Sequence, residues 1–353
     1  MKNNFWRDAR LCPSVLALAC GAVSAQGTPA TLNPVVVTAT RAAVPLREVL
    51  ADVTVIERDV IERHAGNAVA DLLASQPGFQ MARSGGPAGT TSLFVRGGDQ
   101  RFTAVLIDGV RVDTQTTGGA SWEAIPLNQI ERIEILRGPA SAVYGSDAMS
   151  GVVQIFTRKG APGVHFDVAT GYGTNNTSKS SVGISGQAGA FDYAFSGFYD
   201  RSTGFNAKTN GSRDRDGYEN EGGSARVGWK IADAHRIELS ALSSKLDSQY
   251  DAGSNPASTV DDHSVHDLDT FRALWSAQWL QAWTSTLSFG EALDRYETKP
   301  SVYATNTRVR SYTWQNDVRV DAHTVSATLE RREDLLDNNG LTSATTLSRD
   351  QDA

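Results

Sequence analysis

The sequence predicts a small α+β domain followed by an antiparallel transmembrane β-barrel that is incomplete within the 353 residues given. Three observations predict it. The composition changes near Gly160, from mixed α/β segments to runs rich in Ser, Thr, Gly and aromatics. Those runs alternate apolar and polar residues over more positions than the ~5–6 of an average strand. Short connections between them alternate with long ones.

The chain opens on an export signal. Lys2, Arg7 and Arg10 precede an apolar run from Leu11 to Val23, and Val23-Ser24-Ala25 offers the small residues of a cleavage site after Ala25. The formal charge is −7; removing residues 1–25 takes a net +2 and leaves −9. Such an acidic balance argues against a nucleic-acid partner. Both cysteines, Cys12 and Cys20, leave with the leader, so no disulfide framework is expected. No later run approaches the ~20 apolar residues of an α-helical span. An exported chain of this kind is secreted, periplasmic or a β-barrel.

Residues 26–45 read as a tether. Within it, Pro34 to Arg41 is β-prone amid Gly, Pro and Ala, an edge strand or an extended segment that adds to a partner's sheet. The α+β domain then occupies 46–160. Val53 to Ile56 is a strand, Glu57 to Ala65 and Val69 to Leu73 are helical, and Gln76-Pro77-Gly78 ends the second helix. Arg83 to Thr91 reads as a Gly-rich loop and Ser92 to Gly97 as a strand entering a turn. Val105 to Val112 is a hairpin on an Asp-Gly turn. Ile130 to Leu136 and Val152 to Thr157 are further strands, with a helical turn over Ala140 to Tyr144. No Ser/His/Asp or Cys/His set, metal-ligand cluster or phosphate loop occurs here, so the domain is not read as an enzyme.

From 161 to 353 the alternation is that of a barrel wall. Phe271, Ala273, Trp275, Ala277 and Trp279 share one face, with Arg272, Ser276 and Gln278 on the other; Ala225, Val227, Trp229 and Ile231 oppose Arg226 and Lys230. A soluble sandwich shows the same period. The connections decide between them: short links such as Ala232 to Ala234 and Gln281-Ala282 alternate with long ones over Ser202 to Gly223 and Gln249 to Asp267. Short periplasmic turns and long external loops produce that asymmetry. Roughly nine strands are legible. Nine cannot close around a domain of this size, since barrel width grows with strand number, so the sequence reads as a fragment or truncated product.

Four stretches in order resemble the TonB-dependent receptor family: Val35-Val36-Val37-Thr38-Ala39 (the TonB box), Phe94 to Gly97, Val105 to Val110 (VLIDGV), and Ile130 to Arg158, IERIEILRGPASAVYGSDAMSGVVQIFTR. The resemblance covers about residues 34–158. It implies a plug inside a 22-stranded outer-membrane barrel, a large nutrient bound at the external side, and a TonB complex, with ExbB and ExbD, pulling on the box. Outer-membrane lipid would surround the wall.

Asp214-Arg215-Asp216-Gly217 places two carboxylates two residues apart before a Gly, a spacing that suits a hard cation or a solvated turn. Tyr250, Asp251, Asp261 and Asp262 follow in the next long loop. Both places resemble the vitamin B12 receptor branch of the family. That implies Ca²⁺ held by Asp214 and Asp216, with Asn206 and Ser212 as weaker ligands, and by Tyr250, Asp251 and either Asp261 or Asp262. It also implies cobalamin contacts at Thr90, Ser92, Asp99, Thr117, Gly118 and Ala252. A ferric-siderophore receptor is the alternative cargo reading, and a secreted β-sandwich adhesin the alternative class.

Overall fold

A computed structural model describes residues 35–36, 41, 44–64, 68–321, 323–341 and 345–353. The expected leader lies outside these, as do Val37, Thr38 and Ala39 of the box.

β1 (Val35–Val36) pairs antiparallel with β2 (Val44–Pro45), Val35 opposite Pro45 and Val36 opposite Val44. β3 (Asp52–Glu57) runs into α1 (Arg58–Arg63). α2 (Val69–Ala74) follows, its first free amide at Ala68 donating to the Asp71 carboxylate at 3.1 Å. β4 (Phe79–Arg83) and β5 (Thr91–Val95) form a hairpin. The sequence left β4 unassigned and gave the loop as Arg83 to Thr91; the unpaired stretch is 84–90. β6 (Thr103–Ile107), β7 (Val110–Arg111), β8 (Ile130–Arg137), α3 (Ser141–Tyr144) and β9 (Gly151–Thr157) complete the domain.

Five of these strands make one sheet in the order β3-β8-β9-β6-β7, with β6 and β9 parallel. β6 and β9 are buried along their whole length, which is why VLI and VVQIF carry little alternation. Val105, Ile107, Ile133, Ile135, Val153 and Ile155 pack with Leu72, Leu73 and Trp122 as the core. At the β6–β7 turn Asp108 and Gly109 both have positive φ, 50° and 85°, as a two-residue hairpin requires.

The second half is a single antiparallel meander: β10 (Gly163–Gly173), β11 (Thr177–Ala188), β12 (Phe191–Phe205), β13 (Asp216–Ala232), β14 (His235–Tyr250), β15 (Asp262–Leu280), β16 (Trp283–Lys299), β17 (Ala304–Val320), β18 (His323–Asn338) and β19 (Thr346–Asp352). Ten strands stand where the sequence reading gave roughly nine. The asymmetry of the connections holds, but the long ones are shorter than expected. The stretch from Ser202 to Gly223 is a loop only over 206–215, and that from Gln249 to Asp267 only over 251–261. No helix among the described residues is long and apolar enough to cross a membrane, which says nothing of strands.

The two faces of this wall differ. One meets the α+β domain, with Leu242, Leu268 and Ala292 entering its core. The other is apolar and exposed: Trp229 is 42% exposed, Phe271 42%, Leu287 50% and Trp314 49%. Starting from the short-turn end, the outward positions of β12 read Phe191, Tyr193, Phe195, Gly197 and Tyr199 before the first charge, Arg201. Those of β13 read Ile231, Trp229, Val227, Ala225 and Gly223 before Glu221, and those of β15 read Trp279 to Phe271 before Asp269. Register places Tyr199 opposite Glu221 and Phe271 opposite Glu291, so the limit steps along the wall as tilted strands demand. About nine residues at ~3.3 Å on a strand tilted ~40° make an apolar band roughly 23 Å tall, close to the ~25 Å of outer-membrane barrels.

Candidate functional site

Three places on this scaffold carry the expected functional residues: the box, the two apices under the long loops, and the seam between domain and wall.

At the expected box, Val35 and Val36 are already hydrogen-bonded to β2, so any strand added there would have to extend or displace that pairing. The next described residue, Arg41, is held on three sides. Its Nη1 lies 2.5 Å from Glu330 Oε2 on β18, its carbonyl accepts from Gln315 Nε2 on β17 at 3.3 Å, and its guanidinium sits 4.7 Å from the centre of the Tyr144 ring. Tyr144 is pushed up by burial, against the pull of Arg41. Sequence reasoning placed Arg41 at the end of the β-prone run and gave it no role of its own.

At the apices, Thr90 accepts from the Ser84 amide at 3.0 Å and closes the turn between β4 and β5, on which Ser92 also lies. That turn sits beneath loop 206–215: a Cβ on Gly86 would lie 3.8 Å from the Asp216 carbonyl. Asp99 grips Arg101 through the backbone N–H and both sides of the guanidinium at 3.0–3.1 Å, and that hydrogen bonding holds its carboxyl below the usual range. Gly118, at φ 69°, packs on the same Arg101; a Cβ there would be 2.0 Å from Arg101 Cγ. Asp99, Thr117 and Gly118 thus form one apex with Arg101 as its filler.

The two long loops touch. Ser212 N donates to Asp251 Oδ1 at 2.9 Å, Asn206 Nδ2 to the Ser212 carbonyl at 2.7 Å, and Ala207 N to Asp216 Oδ2 at 2.8 Å. Asn206, Ser212, Asp216 and Asp251 are therefore brought to one place. Asp214 points outward and is exposed. Asp262 accepts from Ala252 N at 3.0 Å, and Asp261 from Gln249 and His263, so these two serve the second loop itself. Tyr250 ends β14 beside them. Asp251 Oδ2 and Ser212 Oγ are buried with no partner, which suits a cation. Against that, Lys208 already sends an ammonium into the contact, 3.3 and 2.6 Å from the Asp251 and Gly253 carbonyls. Among the described residues no three His, Cys, Asp or Glu side chains gather as a metal group.

The seam is ionic, and sequence reasoning missed it. Asp108, read as a turn residue, accepts from Thr157 N at 3.0 Å and Thr157 Oγ1 at 2.6 Å, and pairs with Arg226, which also meets Glu238 at 2.6 Å. Glu123 takes the Thr91 amide at 3.0 Å and faces His266, whose other nitrogen is 3.1 Å from Asp294; Ser121 Oγ donates to Asp294 at 2.7 Å. Asp147 meets Arg111 of its own domain and Arg332 of the wall at 3.3 and 3.1 Å. Burial would raise the Asp147 carboxyl, but Arg111, Arg332 and Arg349 together hold it below the usual range. These pairs link residues up to 185 apart in sequence, beyond the reach of any local pattern.

Residues 45–152 match the family model of the TonB-dependent Receptor Plug Domain. Among solved structures, the chain is similar to the siderophore receptor PirA from Acinetobacter baumannii, at 21% identity and a TM-score of 0.66, over 81% of this chain and 48% of that one. It is also similar to a mutant of the ferric enterobactin receptor PfeA from Pseudomonas aeruginosa crystallised with enterobactin, at 18% and 0.69, over 84% and 54%. FpvA of P. aeruginosa, bound to a heterologous pyoverdine–iron complex, gives 13% and 0.70, over 89% and 46%. The chain thus spans about half the length of these structures, and at such identities the likeness is one of fold: a plug domain followed by a barrel wall.

Proposed function

We propose that this chain, with a TonB-dependent receptor plug domain over residues 45–152, is the plug and leading wall of an outer-membrane importer driven through residues 35–39 by a TonB complex with ExbB and ExbD. The observation that carries the reading is the pairing of that plug with a wall whose outward face is apolar for about one bilayer core and then charged on strand after strand. Such a wall faces lipid; the plug fills what it encloses. The test is Val37→Pro in a barrel-complete receptor, since Pro removes a backbone donor from any added strand. Uptake is expected to vanish with surface binding of cargo retained. Normal uptake would sink the coupling role of the box.

For cargo we favour a ferric siderophore over cobalamin, because the similar structures named above are siderophore receptors. One observation supports the second reading, cobalamin with calcium-ordered loops: Asp251 Oδ2 and Ser212 Oγ are both left unpaired where the loops meet. Binding assays of a barrel-complete form with ferric enterobactin and with cyanocobalamin, each with Ca²⁺ and with chelator, separate the two.

A further inference from the structure

Between the plug sheet and strands β14–β18 lies a cavity of about 390 Å³ near the short-turn end of the wall. Its wall side is hydroxylated, by Thr286, Ser288, Ser311 and Thr313, so it is a place for water and polar solutes rather than a packing fault. Six cationic side chains border it against three carboxylates, Glu238, Asp317 and Glu330. Four of the cations are engaged: Arg41 with Glu330, Arg111 with Asp113, Arg132 with Glu134 and Arg332 with Asp334. Arg272 and Lys159 make no hydrogen bond or salt bridge with any described residue. Arg272 is kept there by the turn beneath it. A Cβ on Gly109, already at φ 85°, would come within 3.3 Å of its Cζ, so the bare glycine is what lets the guanidinium lie flat over the plug.

Glu238 and Asp108 face both Arg272 and Lys159, but these two carboxylates are already shared with Arg226 and Arg236, so positive charge is in surplus there. A cleft with low-dielectric walls then concentrates anions. The cavity is bordered at one place by Arg41 and by Tyr144, Gln315 and Glu330, the three residues that hold it. We propose that this chamber is an anion-accepting transit site at the inner end of the import path, with Arg41 as its closure. Its ligand class is an anionic solute such as a carboxylate- or catecholate-bearing chelate. Parting Arg41 from Glu330 opens the chamber where those two residues border it. The word transit rests on the import reading; the charge preference of the chamber does not.

The test uses a barrel-complete receptor carrying this chain, in outer-membrane preparations, with Cys12→Ser and Cys20→Ser removing the two cysteines of the chain. Ser288→Cys, or Ser311→Cys on the adjacent strand should the first fail to accumulate, reports from the chamber wall. Its labelling is timed with sulfonatoethyl and with trimethylammonioethyl methanethiosulfonate. The anionic reagent is expected to gain about tenfold over the cationic one, relative to free cysteine, as focused fields give. Arg272→Gln with Lys159→Gln should erase that gain, and Arg272→Lys should retain it. Arg41→Ala should speed both reagents, the cationic one more, because Glu330 is left without its partner. A ratio indifferent to the two neutralised cations overturns the anion site, and rates indifferent to Arg41→Ala overturn the closure. Neither measurement needs uptake, so a failed Val37→Pro test leaves them standing.

Discussion

Replacing Asp108 by Ala probes the seam where it is most concentrated. The substitution leaves Arg226 buried with Glu238 as its remaining carboxylate, beside the Thr157 hydroxyl, and leaves the Thr157 amide without an acceptor. Removing one member of a buried pair costs ~3–5 kcal/mol; Glu238 still neutralises Arg226, which argues for the low end. The unmet Thr157 N–H adds about 1 kcal/mol. Alanine at φ 50° adds strain that Asp bears more easily. The sum is about 4 kcal/mol, close to a thousandfold in a local opening equilibrium. Amide hydrogen exchange of the peptide over β9 in the full chain measures it. Asp108→Asn keeps an oxygen for the amide and should cost about half as much. A change below about tenfold in Asp108→Ala would refute the reasoning, and would mean that Arg226 and Glu238 hold the strand unaided.

Gly118→Ala should disorder the second apex by about 1–2 kcal/mol, because its Cβ displaces Arg101 from Asp99 at a positive φ; faster exchange over 99–120 checks it. Asp147, depressed in the folded chain, contributes stability that is whole above the ordinary carboxyl pKa of 3.8 and is lost as pH falls through its lower folded value. Exchange around 141–150 should therefore rise as pH drops below about 4, and Asp147→Asn should flatten that response. If the loop contact holds Ca²⁺, Asp251→Asn should abolish any calcium dependence of cargo binding; a dependence that survives it places the cation elsewhere.

The α+β half was legible because its elements are short and sharply punctuated. Asp108-Gly109 gave the hairpin, and Pro77-Gly78 ended α2. β4 escaped because Gln80, Met81 and Ala82 show neither period nor burial, being exposed on an edge hairpin. In the wall, Phe191 to Tyr199 and Ala225 to Ile231 were legible as outward faces wherever lipid enforces alternation. Above Arg201, Glu221 and Asp269 charged and polar residues enter the outward face, so pattern no longer distinguishes strand from loop, although the backbone ladder continues to Phe205, Asp216 and Asp262. The seam was illegible for a different reason. Arg226 could be placed on the polar face, but its partner Asp108 lies 118 residues away.

The charge pairs of the seam set what it would cost to part the α+β domain from the wall. Taking one member from a buried pair is costly, whereas parting both into water costs little, since hydration returns roughly what the pair gave up. Arg226 with Asp108 and Arg332 with Asp147 are joints of the second kind when the plug shifts as a body. An oily seam would resist separation in proportion to the area exposed and would invite foreign apolar surface before it resealed. A seam of paired charges flooded by water unlatches at small net cost. It relatches in register because Asp108 of the domain has Arg226 of the wall to find and Asp147 has Arg332.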